Sequence, residues 1–231
     1  NTEKLRVTHD GKVGIGAATP SASLHVQGNV TASGMIRAAG DIVSSGSIAS
    51  RNYRSFFIGA GGMTPNDTNG AAPLVDEIVA GNSYHTIDVL GFDTTTQEYA
   101  NFQTRMPSEW DRGVIRAKFY WKLTDGTATT DTVVWGIGAI AAGDNAELGT
   151  ALTSFTDATA DSQQDGDVTK LAISNTTADI TVVNAQATTD DDLILFRITR
   201  QVGSDNYGAD ARLIGVGVQY QERASSESKW V

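Results

Sequence analysis

Ser83, His85 and Asp88 come nearest to a catalytic set in this sequence, because they could supply a nucleophile, a base and an orienting carboxylate. They lie in one short segment, however, and neighbours in a strand point to alternate faces, whereas such triads are assembled from separate parts of a chain. We therefore expect His85 to be a solvent-facing strand residue. The absence of cysteine excludes a cysteine nucleophile, a thiolate metal site and any disulfide. No catalytic residue is predicted, and we expect the chain not to be an enzyme.

A second candidate is Trp110, which stands among the polar residues Glu109, Asp111 and Arg112 in a segment rich in turn residues. An aromatic ring among polar groups on a loop is the composition expected where a ring stacks on a sugar, so these four residues are predicted glycan contacts. The alternative is that Trp110 folds back onto the edge of its domain. Glu98, Glu109 and Asp111 could also supply the carboxylate pair of a glycoside hydrolase, although acidic residues are too abundant here for such a group to be specific.

Acidic segments at residues 161–167 and 190–192 raise the question of a metal ion. The first departs from the calcium-loop order, because position 163 is Gln and no Glu follows at the required spacing. The second is typical of a solvated turn before a strand. No set of His and Cys residues suits zinc, and no glycine pair completes a nucleotide-binding fingerprint. We predict no cofactor and no metal site, with calcium at these two segments as the open alternative.

The balance of charge and hydropathy excludes further classes of protein. The 231 residues include 27 acidic and 17 basic side chains, for a formal net charge of −10, whereas binding to nucleic acid needs clustered Lys and Arg. No apolar run approaches the roughly 18 residues that span a bilayer, so no membrane insertion is expected. Because the sequence begins without Met and without a secretory pattern, we expect a processed product or the C-terminal part of a longer protein.

The most specific pattern is a six-residue repeat that starts at position 28 and runs GNVTAS, GMIRAA, GDIVSS, GSIASR. Each unit opens with a glycine that supplies a turn, and a β-branched residue follows two positions later in a short extended segment. The turns are Gly28, Gly34, Gly40 and Gly46, and the apolar positions are Val30, Ile36, Ile42 and Ile48. Four such units cannot bury a core alone, which favours an intertwined homotrimeric β stalk with these aliphatic residues stacked on its axis. A single-chain hexapeptide solenoid and an ordinary β-meander are the alternatives.

Residues 13–30 read V-G-I-G-x-x-x-P-x-x-x-L-H-V-x-G-x-V, and this segment resembles the stalk or neck of bacteriophage tail fibres and related adhesins. The resemblance covers the repeat and the residues before it. It implies an elongated, homotrimeric virion fibre, which contacts other virion proteins through its N-terminal side. In many such fibres the segment precedes a self-cleaving chaperone domain, and nothing in this chain resembles that domain.

The rest of the chain predicts an all-β head. Apolar and polar residues alternate at 115–123, 194–198 and 214–220, which is typical of strands with one buried face. Eight strands separated by turns favour an antiparallel β-sandwich of jelly-roll type. Weaker strands are expected at 84–90, 99–106, 133–142, 168–174 and 180–183, and a short helix at 145–152. The predicted domains are a stalk at 1–54, a head at 55–223 and a C-terminal tail at 224–231.

Two further features concern the head. Gly215 and Gly217 lie on the face of their strand opposite the core, which predicts close approach by another backbone, from a loop or a neighbouring subunit. The segments IGAGGMTPN, TQEYA, RMP and DARL resemble head domains of phage structural proteins, more loosely than the stalk, and imply a virion component. We expect the head to be displayed for attachment to the host surface, with a glycan as the receptor. A capsid-decorating fibre without a specific receptor and a polysaccharide-degrading tailspike are the alternatives.

Overall fold

The computed structural model describes residues 4–40, 43, 53–80, 83–125, 131–146, 158–163, 168–184 and 192–223. The chain divides into two compact units, the first from Asn1 to Gly46 and the second from Ser47 to Val231. The described elements are β-strands and one 3-10 turn, Ala60–Gly62, and among these residues there is no helix with the length and apolarity of a membrane span. The predicted tail at 224–231, and all but the first two residues of the predicted helix, lie outside the described part of the chain.

The first unit contains a small sheet of three short strands: β1 (Leu5–Val7), β2 (Val13–Ile15) and β3 (Leu24–Val26). β1 pairs antiparallel with β2, and β2 pairs parallel with β3. Two glycines of the V-G-I-G motif set this path. A side chain at Gly14 would collide with the carbonyl oxygen of Ala17, and Gly16 has a φ of +67°, in the left-handed region that favours glycine. Local backbone geometry therefore accounts for the two glycines of the motif.

Two of the four aliphatic positions of the six-residue repeat, Val30 and Ile36, lie in the described part of the chain, and both are exposed. Residues 28–40 form no strand, and Val30 and Ile36 are each 68% exposed. The chain by itself therefore gives these two side chains no core. Ile42 and Ile48 lie outside the described residues, and the predicted trimeric stalk stays a prediction.

The three described glycines of the repeat, Gly28, Gly34 and Gly40, have open surroundings. Gly28 has a φ of +145°, a conformation that other residues rarely adopt, which agrees with its predicted place in a turn. Nothing lies within 4 Å of the position that a Cβ would take on Gly28, Gly34 or Gly40. Contacts within the chain therefore do not require glycine at Gly34 or Gly40. Gly46 lies outside the described residues.

The second unit is an antiparallel β-sandwich, with eleven strands among its described residues. They are β4 (Tyr53–Gly59), β5 (Thr64–Pro65), β6 (Ala72–Ala80), β7 (Ser83–Phe92), β8 (Tyr99–Arg105), β9 (Trp110–Leu123), β10 (Thr132–Ala142), β11 (Ala158–Gln163), β12 (Ala172–Ile173), β13 (Leu193–Arg200) and β14 (Ala211–Glu222). One sheet has the order β12-β9-β14-β7-β6, and the other has the order β11-β10-β13-β8-β5. β8, β9 and β10 alternate between the sheets, as do β13 and β14, so the chain crosses the sandwich in a jelly-roll-like manner.

β4 joins the first of these sheets along an edge of β14. It pairs with β14 from Gly215 to Gln221, whereas β7 pairs with β14 only at its start. β4 begins at Tyr53, inside the segment predicted as stalk. The β9-β14-β4 part of this sheet positions the site described below.

Trp135 of β10 lies at the centre of the core between the sheets. Its ring centroid is 5.2 Å from that of Phe92, 5.7 Å from that of Phe119 and 6.1 Å from that of Trp121. These three rings belong to β7 and β9 of the facing sheet, so a single indole connects both layers. Burying aromatic side chains of this size is a large part of what stabilises such a sandwich.

The alternating patterns at 115–123 and 194–198 are confirmed as strands with one buried face. In β9 the inward residues are almost completely buried: Ile115, Ala117, Phe119, Trp121 and Leu123. In β13, Ile194, Phe196 and Ile198 are buried in the same way. The expected all-β sandwich is therefore present.

β14 departs from its predicted pattern at one point. Its register against β9 shifts between Leu213 and Gly215, so the strand contains a β-bulge there. Leu213 and Val216 face the core and are fully buried, whereas Ile214 is only half-buried. The prediction that Ile214 shares a face with Val216 is wrong, because a bulge reverses the alternation.

The strand predicted at 168–174 is reduced to β12, two residues long, and the one at 180–183 forms only isolated bridges. Side-chain hydroxyls replace part of the missing ladder along the edge of β9. The backbone N–H of Phe119 donates to the Ser174 hydroxyl at 2.9 Å, and the N–H of Ala117 donates to the Thr177 hydroxyl at 3.0 Å. This edge of the sheet is therefore closed by an irregular segment.

Candidate functional site

Trp110, the ring predicted to stack on a sugar, is only 6% exposed and belongs to the core of the sandwich. It opens β9 beside the end of β14, and the Arg223 Nε donates to its carbonyl oxygen at 2.7 Å. A ring this buried has no free face for a sugar, which corrects the prediction for Trp110. The alternative, a tryptophan folded back onto the sandwich, is the arrangement observed.

The three polar neighbours of Trp110 form the turn into β9. Glu109 is exposed, and Asp111 and Arg112 are half-buried. The Asp111 carboxylate accepts the N–H of Gly113 at 2.8 Å, and Arg112 has a φ of +64°. The Asp111 hydrogen bond supports a local structural role.

A second group of acids forms a turn after β7, beside a cavity of about 620 Å³. Four consecutive backbone N–H groups donate to its carboxylates. The N–H of Asp93 donates to Glu98, that of Thr94 to Asp210, and those of Thr95 and Thr96 to Asp93 itself. Each acid is thereby engaged in holding the turn, which argues against a hydrolytic carboxylate pair involving Glu98.

The pKa values of two of these carboxyl groups are displaced in opposite directions. Hydrogen bonds from Thr95, and then from the backbone of Thr96, lower the pKa of Asp93 to about 2. Burial raises the pKa of Glu98, and the charges of Asp93 and Asp210 add to that effect. The described residues contain no group of three or more acidic or histidine side chains arranged to hold a metal ion.

An aromatic pair, an exposed Phe57 and a half-buried Tyr120, lies on the outer face of the β9-β14-β4 region. Phe57 of β4 is 52% exposed, and its ring centroid is 5.2 Å from that of Tyr120 of β9, at an interplanar angle of 88°. Between these strands lies a cleft of about 400 Å³, which we call the aromatic cleft. It is lined by Ser55, Phe56, Phe57, Ala117, Lys118, Tyr120, Thr176, Gly217 and Gln219. Its volume lies at the lower end of the roughly 300–1,000 Å³ found for small-molecule sites.

Two glycines of β14 make room for the aromatic pair. A Cβ on Gly215 would collide with the Phe57 ring and would lie 2.6 Å from the carbonyl oxygen of Ile58. A Cβ on Gly217 would lie 3.4 Å from the Tyr120 ring, an ordinary contact. The sequence predicted that another backbone approaches this face. The backbone carbonyl of Ile58 does approach Gly215, together with the Phe57 ring, and both belong to β4 of the same sheet rather than to a loop or a neighbouring subunit.

The charges beside the aromatic cleft come from alternate positions of β9. Arg116 is paired with Asp179, whose carboxylate oxygen lies 2.6 Å from the arginine Nε. The hydrogen bond and the negative charge of Asp179 raise the pKa of Arg116. Lys118 is exposed and makes no ion pair with any residue that the structure describes. One paired and one unpaired cation therefore project on the same face.

The aromatic cleft combines the chemistry of an apolar surface with that of hydrogen-bonding groups. The Phe57 and Tyr120 rings offer apolar area, and Ser55, Gln219 and Thr176 offer hydroxyl and amide groups. Among the described residues that line it, none is a carboxylate. The arrangement suits binding of a ligand with apolar faces and polar edges.

His85 is exposed on another strand, as predicted.

The sequence contained a partial signal for this site. The sequence analysis marked Gly215 and Gly217 as lying opposite the core, and the alternation predicted at 115–123 puts Tyr120 on the face opposite the buried Phe119 and Trp121. Phe57 was missed, because the adjacent pair Phe56–Phe57 shows no alternation against its neighbours. Only the pairing of β4 with β14 places Phe57 opposite Gly217.

No family model matches the chain, and neither does any curated protein. Among solved structures, the carbohydrate-binding module TmCBM27, described in terms of mannan recognition, is 9% identical with a TM-score of 0.35, covering 73% of this chain and 98% of that chain. CBM28, described as specific for non-crystalline cellulose, is 11% identical with a TM-score of 0.35, covering 70% and 86%. The family 11 module from Clostridium thermocellum is 6% identical with a TM-score of 0.28, covering 74% and 89%. At such low TM-scores these likenesses carry no argument about what this chain binds.

Proposed function

We propose that this chain is a non-enzymatic attachment protein of a virion, a homotrimeric fibre whose β-sandwich binds a glycan on the host surface through the aromatic cleft. The observation that carries the proposal is the exposed Phe57 ring, held edge to face against Tyr120 over a glycine floor. Removing such apolar surface from water lowers the free energy, so a ligand that covers these rings is bound more tightly. A sugar has apolar ring faces and hydroxyl edges, and both have partners in this cleft.

The polar lining supports binding rather than cleavage. Hydrolysis of a glycosidic bond by the usual route needs two carboxylates on either side of that bond. The described residues that line the aromatic cleft include no carboxylate, and the hydroxyl and amide groups among them belong to Ser55, Gln219 and Thr176. These groups donate and accept hydrogen bonds without attacking a glycosidic bond. We therefore assign the cleft a recognition role, not that of a depolymerase.

The trimeric part of the proposal rests on the exposed repeat. Val30 and Ile36 lie on the surface of the single chain at a spacing of six residues, together with the neighbouring Met35. When three copies of one sequence bury such regularly spaced aliphatic residues together, the free energy falls, and this favours the trimer. A trimer would display three aromatic clefts at once, and such multivalency can raise avidity by about 10²–10⁴ without stronger single sites.

A glycan array probed with the full-length protein tests the binding function. We expect the wild type to bind defined glycans and Phe57→Ala to lose about tenfold or more in affinity, the usual result of truncating a central aromatic contact. The matched control is Leu193→Ala, which removes an exposed apolar side chain from β13 of the other sheet and should leave binding unchanged. Tyr120→Ala should resemble Phe57→Ala.

Three results would change the assignment. An array without hits, together with unaltered phage adsorption in the presence of excess protein, would favour a decorating fibre that has no receptor. Release of reducing ends from a host polysaccharide would establish a tailspike-like enzyme. Equal loss of binding in Phe57→Ala and Leu193→Ala would place the ligand elsewhere or indicate unfolding.

A further inference from the structure

The aromatic cleft has an aromatic wall and a cationic wall, which face each other across the glycine floor. In the register of the sheet, Gly217 of β14 lies opposite Phe57 of β4 on one side and opposite Lys118 of β9 on the other. Neighbouring strands are about 4.8 Å apart, so the backbones of Phe57 and Lys118 are separated by about 10 Å. With no side chain on Gly217, the nearest side chain is the Tyr120 ring, 3.4 Å from the position that a Cβ would take, so Tyr120 forms part of the surface between Phe57 and Lys118.

Lys118 is the cation available to a ligand in this cleft. Its neighbour on the same face, Arg116, is engaged by Asp179 at 2.6 Å. Lys118 has no such partner among the described residues and lines the cleft directly. No carboxylate stands among the described lining residues to oppose it. The local charge is therefore positive at this point, in a chain whose formal net charge is −10.

We infer that the glycan bound in the aromatic cleft carries a carboxylate, as uronic acids and sialic acids do, and that Lys118 binds this group while the sugar ring packs against Phe57. The inference rests on the proposed glycan-binding function and specifies the class of sugar. The acidic surface of the chain repels anions at long range, but at physiological ionic strength the Debye length is about 8 Å, so the nearest cation dominates within the cleft.

The probes are host capsular polysaccharides that contain uronic or sialic acids, each printed beside its carboxyl-reduced, neutral form. The full-length wild-type protein should prefer the acidic member of a pair, and salt should weaken that preference. Lys118→Gln should lower affinity for the acidic member roughly five- to tenfold, the size expected for one exposed charge-assisted hydrogen bond, and leave the neutral member unaffected.

Two variants of the neighbouring Arg116–Asp179 ion pair sharpen this test. Arg116→Gln removes a neighbouring cation that is already paired with Asp179 and does not line the cleft, so it should weaken the acidic preference much less than Lys118→Gln does. Asp179→Asn releases Arg116 and should strengthen binding of the acidic member. All three substitutions concern exposed side chains, so their folding can be verified by an unchanged thermal unfolding midpoint.

The outcomes separate this inference from the function on which it rests. Equal binding of acidic and reduced polysaccharides, insensitive to Lys118→Gln but lost in Phe57→Ala, would overturn the acidic specificity and leave glycan binding intact. An equal effect of Arg116→Gln and Lys118→Gln would also overturn it, because the preference would then follow net charge and not this lysine. Absence of binding to every polysaccharide would overturn the proposed function and the inference together.

Discussion

Gly215 and Gly217 look alike in the sequence, yet their surroundings in β14 differ. A methyl group on Gly215 would overlap the Phe57 ring, whereas one on Gly217 would make an ordinary contact with Tyr120. Gly215→Ala should destabilise the protein by about 1–3 kcal/mol through overpacking and should displace Phe57. Gly217→Ala should change stability by no more than about 0.5 kcal/mol. Urea denaturation of both variants measures the difference, and equal values would show that Phe57 does not pack over Gly215.

At Asp93 and Glu98 the displaced pKa values predict opposite dependences of stability on pH. The folded-state pKa of Asp93 is lowered to about 2, so its ionised form stabilises the fold above its ordinary pKa near 3.8, and this is lost as the pH falls toward 2. The pKa of Glu98 is raised, so its neutral form is favoured in the fold, and stability falls as the pH rises through that value.

Two conservative variants isolate these charges. Asp93→Asn should be less stable than the wild type near pH 6, by about 1 kcal/mol or less because the side chain is partly exposed, and the deficit should fade between pH 4 and 2. Glu98→Gln should be slightly more stable than the wild type at neutral pH, and its gain should vanish on acidification. Thermal unfolding midpoints across this pH range are the measurement. A deficit of Asp93→Asn that is constant with pH would contradict the assignment.

At the scale of elements, the edge of β9 depends on two hydroxyl groups in the segment after β12. Ser174→Ala and Thr177→Val each leave a backbone N–H of β9 without its acceptor. Both hydroxyl-bearing residues are buried, so each variant should lose about 1–3 kcal/mol of unfolding free energy. Thr176→Val, between them and exposed, is the matched control and should cost no more than about 0.5 kcal/mol. Similar losses in all three variants would indicate a general loosening of the segment.

The strands that the sequence predicts well are those with one uninterrupted buried face. In β9 and β13 the period of two is imposed by the facing sheet, so the pattern of residues and the structure agree. The pattern failed in β14, because a one-residue bulge reverses the faces and leaves no trace in residue types. The pattern also failed around β12. There the hydroxyl groups of Ser174 and Thr177 accept backbone hydrogen bonds from β9 that a regular strand would accept with its carbonyl groups, and such a segment needs no alternation of apolar and polar residues.

The aromatic cleft was only partly predictable, because it is assembled from three strands far apart in the sequence. Tyr120 lies in β9, the glycine floor in β14, and Phe57 in β4, a strand that no pattern indicated. Register across strands is a tertiary property, set by hydrogen bonding and burial on the other face. Trp110 was predicted as a ligand contact because a polar turn surrounds it, yet the free energy gained by burying an indole outweighs that local composition.

At the scale of the whole molecule, the proposal requires that three chains share the aliphatic residues of the repeat. Ile36→Asp would place a charge at the predicted trimer axis, where its burial is strongly unfavourable. The variant should be monomeric by light scattering, whereas the wild type should be trimeric. Binding to a glycan-coated surface should fall by about 10²-fold or more through lost avidity, with single-site affinity unchanged. A wild-type monomer would remove the basis for the stalk.

The most direct test of the central claim is an experimental structure of the full-length protein with a glycan selected from the array. We expect the sugar in the aromatic cleft, with one ring packed against Phe57 and its edge near Gln219 and Lys118. A sugar bound at the turn that contains Glu109 and Asp111, or beside the acidic turn at Asp93, with the aromatic cleft unoccupied, would contradict it.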